Sequence, residues 1–171
     1  DRVQFELQAE NPVSFPLHLR VPGWCRNARV SVNGQPQPKP TPGRAVVLNR
    51  QWKSGDVVEL TLPMELRTKR WHENSVGLQR GPLVFALRIE ERWEQRQNYY
   101  EVLSESPWNF ALLEDSLASL SENFHVVQRG PVNDHPWNLR DAPLEIQTKA
   151  VRLPEWTTYK DDAGPIPWSP Q

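Results

Sequence analysis

Val30-Ser31-Val32-Asn33-Gly34, followed by Pro36, Pro38, Pro40 and Pro42 and then Gly43, is the stretch on which the fold turns. The two valines stand two residues apart, the period of a strand rather than of a helix. Asn-Gly accepts positive φ at both central positions of a tight hairpin turn. Prolines at every second position make the next segment extended and stiff, an inflexible connection with a strand on either side.

The same period runs outward in both directions. Val3, Phe5 and Leu7 alternate with Gln4 and Glu6, and Phe15, Leu17, Leu19 and Val21 alternate with His18 and Arg20. Downstream come Ala45 to Leu48, a turn at Ser54-Gly55-Asp56, and Val58, Leu60 and Leu62 between Glu59 and Thr61, closed by Pro63. Met64 to Trp71 reads as a weaker strand. After Gly81-Pro82, the apolar run Leu83, Val84, Phe85, Ala86, Leu87 and Ile89 predicts a strand buried on both faces near its start. Glu90 to Asn98 is almost wholly polar and predicts a solvated hairpin extension leading to Tyr100 and Val102. Leu112 to Leu120 predicts a loop or a single helical turn. Phe124 with Val126, and then Leu144, Ile146, Thr148 and Ala150, predict two further strands, and the proline-rich tail an extended surface segment.

Seventeen prolines in 171 residues are close to twice the usual share of about 5%. Proline breaks helices and is excluded from central ladder positions, so helical bundles and doubly wound α/β folds are disfavoured. The expectation is an all-β chain, a β-sandwich or two small stacked β-modules. Residues 1–90 are read as one sandwich module and 91–171 as a second, incomplete one. The net charge of −1, from 20 basic and 21 acidic residues, argues against a nucleic-acid or anionic-membrane partner. The chain opens on Asp1-Arg2 and reads as an excised or processed piece.

Few residues promise chemistry. Glu90, Glu91 and Glu94, and Asp161 with Asp162, are the carboxylate clusters, but adjacent strand residues point to opposite faces and cannot make the facing pair of a glycosidase. His18, His72, His125 and His135 have no metal-ligand spacing. Cys25, the one cysteine, excludes an internal disulfide and a cysteine-built zinc site, and is read as a packing residue. No catalytic or metal residue and no cofactor is assigned to this chain. The eight tryptophans are the one feature able to carry binding, since indoles stack on sugars as well as fill cores. Trp108, Trp137 and Trp168, each in a proline-flanked segment, are the candidates for a carbohydrate surface or a domain interface.

Six runs together resemble the β-rich C-terminal part of glycoside hydrolase family 127, the β-L-arabinofuranosidase-like family of bacterial proteins. They are Leu19 to Trp24, Val30 to Gly34, Trp52 to Pro63, Val76 to Leu87, Ser106 to Asn109 and Lys149 to Pro170. The resemblance is to the part that follows the family's catalytic (α/α)6 barrel. It implies that chemistry belongs to that barrel, with a zinc-held cysteine nucleophile and a glutamate acid/base, and that the β-modules pack on it. Cys25 lies in the Pro22-Gly23-Trp24 run and does not match the upstream catalytic cysteines, so no catalytic or zinc residue carries over. The implied partner is the barrel of the same parent chain, with zinc confined to the barrel. A free-standing carbohydrate-binding module that holds glycan through tryptophans is the alternative. The barrel-bound reading predicts an exposed apolar surface.

Overall fold

A computed structural model describes residues 1–160 and 164–170. Among them the chain is all-β, with fifteen strands and helix only in three short turns. Two compact units emerge, Asp1–Glu65 with Arg80–Leu83, and Leu66–Gln79 with Val84–Gln171. The sequence boundary near residue 90 falls inside the second.

Unit 1 is a two-layer sandwich. One sheet has the order β1 (Arg2–Glu6), β6 (Val57–Thr61), β3 (Arg29–Val32), β4 (Gln35–Pro36). The other pairs β2 (Val13–Arg20) with β5 (Ala45–Trp52) over eight residues, Leu17 opposite Leu48. Every pairing is antiparallel. Period-two alternation sends Leu19, Leu48 and Trp52 from one sheet, and Val30, Val32, Val58 and Leu60 from the other, into a shared core. Trp52 is fully buried, its indole N–H donates to the Phe15 carbonyl at 3.0 Å, and the Phe15 ring lies 5.9 Å away. An indole so placed contributes both area and a satisfied polar handle.

The turn at Asn33-Gly34 forms as expected. Their φ values are 51° and 76°, and Val32 pairs with Gln35 across the two-residue loop. The proline run beyond it separates β4 from β5, with Pro40 buried. Gly81 has a comparable steric reason to be glycine. Its φ is 58°, and a Cβ there would lie 2.7 Å from Met64 Cγ.

Unit 2 is built of small pieces. A three-stranded sheet, β7 (Leu66–Arg70), β8 (Val76–Arg80) and β9 (Leu83–Phe85), has its turn residues 80–83 grouped with unit 1. Three two-stranded ribbons follow: β10 (Glu91–Gln95) with β11 (Tyr100–Ser104), β13 (His125–Gln128) with β14 (Leu144–Gln147), and β12 (Phe110–Leu112) with β15 (Ala150–Arg152). The polar hairpin read over residues 90–98 is the β10–β11 ribbon. The serine-crowded segment forms two single turns, α1 (Glu114–Ala118) and α2 (Leu120–Asn123).

Two expectations are corrected. The run after Pro82 is not a doubly buried strand. β9 stops at Phe85, and Val84 is 72% exposed, because β9 is the edge of its sheet and has a single neighbour. Leu144 to Ala150 is not one strand. It breaks after Gln147, with β14 pairing to β13 and β15 to β12.

Candidate functional site

The three candidate tryptophans occupy different settings in unit 2. Trp137 is 83% exposed in the loop between β13 and β14, and Trp168 is 63% exposed in the tail. Trp108, 37% exposed, lines a cleft of about 280 Å3 with Phe110, Trp156, Ile166 and Pro167, rimmed by Ser75 and Ser169. Trp137 and Trp168 are not among its walls. The tail is held there by two hydrogen bonds to the Ser169 backbone: the Ser169 N–H donates to the Glu73 carbonyl at 2.9 Å, and the Asn74 side-chain Nδ2 donates to the Ser169 carbonyl at 2.8 Å. Glu73 and Asn74 both have left-handed φ, 50° and 58°, an arrangement that costs non-glycine residues energy and that this pair of bonds offsets. Of the other indoles, Trp52 fills the unit 1 core and Trp24 packs against it. Trp71 lies over Gly77, its Nε1 3.0 Å from where a Cβ would be, and Lys69 Nζ sits 4.1 Å from the ring centroid. That contact accounts for Gly77 in the Val76 to Leu87 run.

The charged clusters are surface ion pairs. Glu90 meets Arg88 at 3.0 Å, the Trp93 indole donates to Glu91 at 3.0 Å, and Glu94 lies between Arg92 and Arg96. All three glutamates thus serve the β10–β11 ribbon and its approach, each with a local partner. Asp161 and Asp162 lie outside the described residues. The four histidines are exposed and scattered. Among the described residues no three His, Cys, Asp or Glu side chains gather in a way that could hold a metal. Cys25 is fully buried in the unit 1 core, its thiol 3.7 Å from the Pro63 carbonyl, which is the setting of a packing cysteine.

Among the described residues the one buried carboxylate is Asp56. Its Oδ1 accepts from Asn33 Nδ2 at 2.7 Å, and its Oδ2 accepts from the Lys53 N–H at 3.0 Å with Arg50 at 3.6 Å. Asn33 Oδ1 in turn accepts from the Val57 N–H at 2.8 Å. The hairpin turn and the Ser54-Gly55-Asp56 turn are thereby locked together. The Asn33 hydrogen bond, then that from Lys53, holds the Asp56 carboxyl below its ordinary value, against the opposing effect of burial. The sequence flags both turns, but not that their side chains meet.

Sequence reasoning also missed a cleft of about 580 Å3 in unit 1. One wall is β5 from Ala45 to Arg50, and the other is the proline run from Gln37 to Thr41. Lys39, Arg44 and Arg50 line it, and no acidic residue does. Arg50 is committed, its guanidinium 4.9 Å over the Trp52 ring and facing Asp56. Lys39 and Arg44 are exposed and have no carboxylate partner among the described residues.

Set beside known proteins, residues 1–64 match the family model described as the GH127 middle domain of β-L-arabinofuranosidases. No curated protein matches the chain. A solved GH127 β-L-arabinofuranosidase from Geobacillus stearothermophilus T6 is similar over 88% of this chain and 25% of its own, at 25% identity and a TM-score of 0.44. A second structure, described as a glycoside hydrolase, is similar over 87% of this chain and 26% of its own, at 20% identity and the same TM-score of 0.44. The chain spans about a quarter of the length of these structures. The matched stretch is the first segment of unit 1 almost to its end, from β1 through β6. The resemblance drawn from the sequence is thus borne out over residues 1–64, which match the middle domain of the GH127 β-L-arabinofuranosidases.

Proposed function

We propose that this chain is a non-catalytic β-sandwich region of a larger bacterial glycoside hydrolase of the β-L-arabinofuranosidase type. Its role on this reading is to support a catalytic (α/α)6 barrel in the breakdown of plant-type glycans. The match of residues 1–64 to a middle domain carries the proposal. The unit 1 sandwich supports it physically. Val3 and Phe5 oppose Leu60 and Val58 in register and therefore share their core-facing side. Val13 and Phe15 lie on the same side of β2 as buried Leu19. Yet these four are between 38% and 44% exposed. Apolar side chains on an inward face that stays open are what a covering domain would bury.

A second reading, direct glycan binding, is favoured by the pairing of Trp108 with Trp156 in one cleft beside serine hydroxyls. Aromatic faces with a few polar groups are the ordinary make-up of a small-ligand site. Calorimetry with arabino-oligosaccharides, alongside an assay on an aryl β-L-arabinofuranoside with and without zinc, separates the readings. The scaffold reading predicts neither turnover nor glycan binding. Glycan binding abolished by Trp108→Ala would favour the second, and turnover abolished by Cys25→Ala would overturn both.

A further inference from the structure

We propose that the open edge of β5 is a strand-docking site for an extended acidic peptide segment of a partner polypeptide. β5 is eight residues long and, among the described residues, pairs only with β2, so the backbone N–H and C=O groups of its other edge have no strand partner there. Sheet edges of this length are normally blunted. The neighbouring edges of unit 1 show how. β4 is two residues long and ends in Pro36, and β2 carries Pro16 within its span. β5 has no proline and carries the β-formers Val46 and Val47 near its start.

The cleft lies along that edge. Its far wall, from Gln37 to Thr41, includes Pro38 and Pro40, which have no N–H to pair with β5. Buried Pro40 anchors the wall, and Gln37 spends its own N–H on the Val30 carbonyl at 2.9 Å. The wall therefore leaves the β5 edge to an incoming strand, which is the geometry of β-strand addition. Ladder hydrogen bonds would supply affinity, and exposed Ala45 and Val47 would meet alternate apolar side chains.

Charge selects the occupant. Lys39 and Arg44 flank the cleft without carboxylate partners among the described residues, and the lining contains no Asp or Glu. An acidic strand answers both cations. A second copy of β5 does not, because antiparallel pairing would bring the Arg44 end of one strand onto the Arg50 end of the other.

The test uses the full chain and a fluorescein-labelled heptapeptide alternating glutamate and valine, followed by anisotropy in low salt. Saturable binding is expected, with amides 45–50 gaining protection from hydrogen exchange. Affinity should fall at least about tenfold in Lys39→Glu/Arg44→Glu, and less in Lys39→Gln/Arg44→Gln, which keeps the fold in hand should charge reversal disturb it. Two comparison ligands sharpen the result. A version of the peptide N-methylated at alternate residues loses its ladder donors, and hexagalacturonate carries the charge without a peptide backbone. Weak binding of both supports strand addition. Equal binding of the N-methylated peptide, equal binding of hexagalacturonate, unchanged affinity in both variants, or protection of amides 45–50 by self-association alone would each overturn it.

Discussion

The two units use opposite means of cohesion. Unit 1 gathers ten buried apolar residues from both layers of a sandwich, whereas unit 2 buries only Ala111 and Phe124 among the described residues. Beside these, unit 2 buries polar groups. Asn109 donates to the Leu153 carbonyl at 2.8 Å, and Ser116 and Ser169 are enclosed as well. Its ribbons carry ion pairs, such as Arg129 with Glu145 at 2.7 Å. Exposed pairs of this kind each contribute little, from about zero to 1 kcal/mol. The difference teaches that strand content alone does not make a core. The strands of unit 1 face one another across a shared interior, while those of unit 2 are divided between one three-stranded sheet and three two-stranded ribbons, and such ribbons are marginal without a further layer.

The contrast can be broken most decisively at the indoles. Trp52→Ala should cost about 3–5 kcal/mol, the usual range for deleting a buried aromatic ring. Trp93→Ala, on an exposed ribbon, should stay within about 0.5 kcal/mol. Urea denaturation of the two variants checks this, and similar losses would erase the distinction between the units. A smaller effect is expected at the turns of unit 1. Gly34→Val and Gly81→Val each place a β-branched residue at positive φ, for a loss of about 1–2 kcal/mol or more. Gly130→Ala, in unit 2, has no positive φ and open space around its Cβ, and serves as the neutral comparison in thermal melts.

The acid limb of stability sharpens the comparison further. The folded-state carboxyl of Asp56 is held below its ordinary 3.8, so it binds protons more readily in the unfolded chain. Its contribution is therefore complete above the ordinary aspartate range and fades as pH falls through the lowered value. Asp56→Asn should flatten that acid dependence when unfolding is followed from pH 6 downward. Glu145 in unit 2 is lowered in the same direction, chiefly by Gln147 and then Arg129. It is exposed to salt on a ribbon, so Glu145→Gln should change the acid limb less, and least of all in high salt.

Unit 1 was open to sequence reading because its inward residues alternate strictly and its turns carry their own chemistry, Asn33-Gly34 above all. What could not be read was partnership across the sequence. Asn33 and Asp56 each mark a turn, and nothing local indicates that one side chain caps the other. The β5 cleft is invisible for the same reason, since Lys39 and Arg44 acquire meaning only when the proline run is laid beside a bare strand edge. Leu83 to Leu87 misleads in the opposite sense. An apolar run predicts burial, but burial also needs a layer to pack against, and β9 sits at a sheet edge. The tryptophans of unit 2 share that ambiguity. Proline neighbours placed Trp108, Trp137 and Trp168 in extended segments, but did not indicate that Trp108 would join Trp156 in a cleft while Trp137 stands in solvent.

Native-state hydrogen exchange on the full chain tests the central claim most directly, that unit 1 holds the stable core and unit 2 is the weakly cohesive part. The slowest amides should lie in β2, β3, β5 and β6, opening only with global unfolding, while those of β10–β11 and β13–β14 exchange through local opening at much lower free energy. Equal protection across both units, or the slowest amides in the unit 2 ribbons, would contradict it.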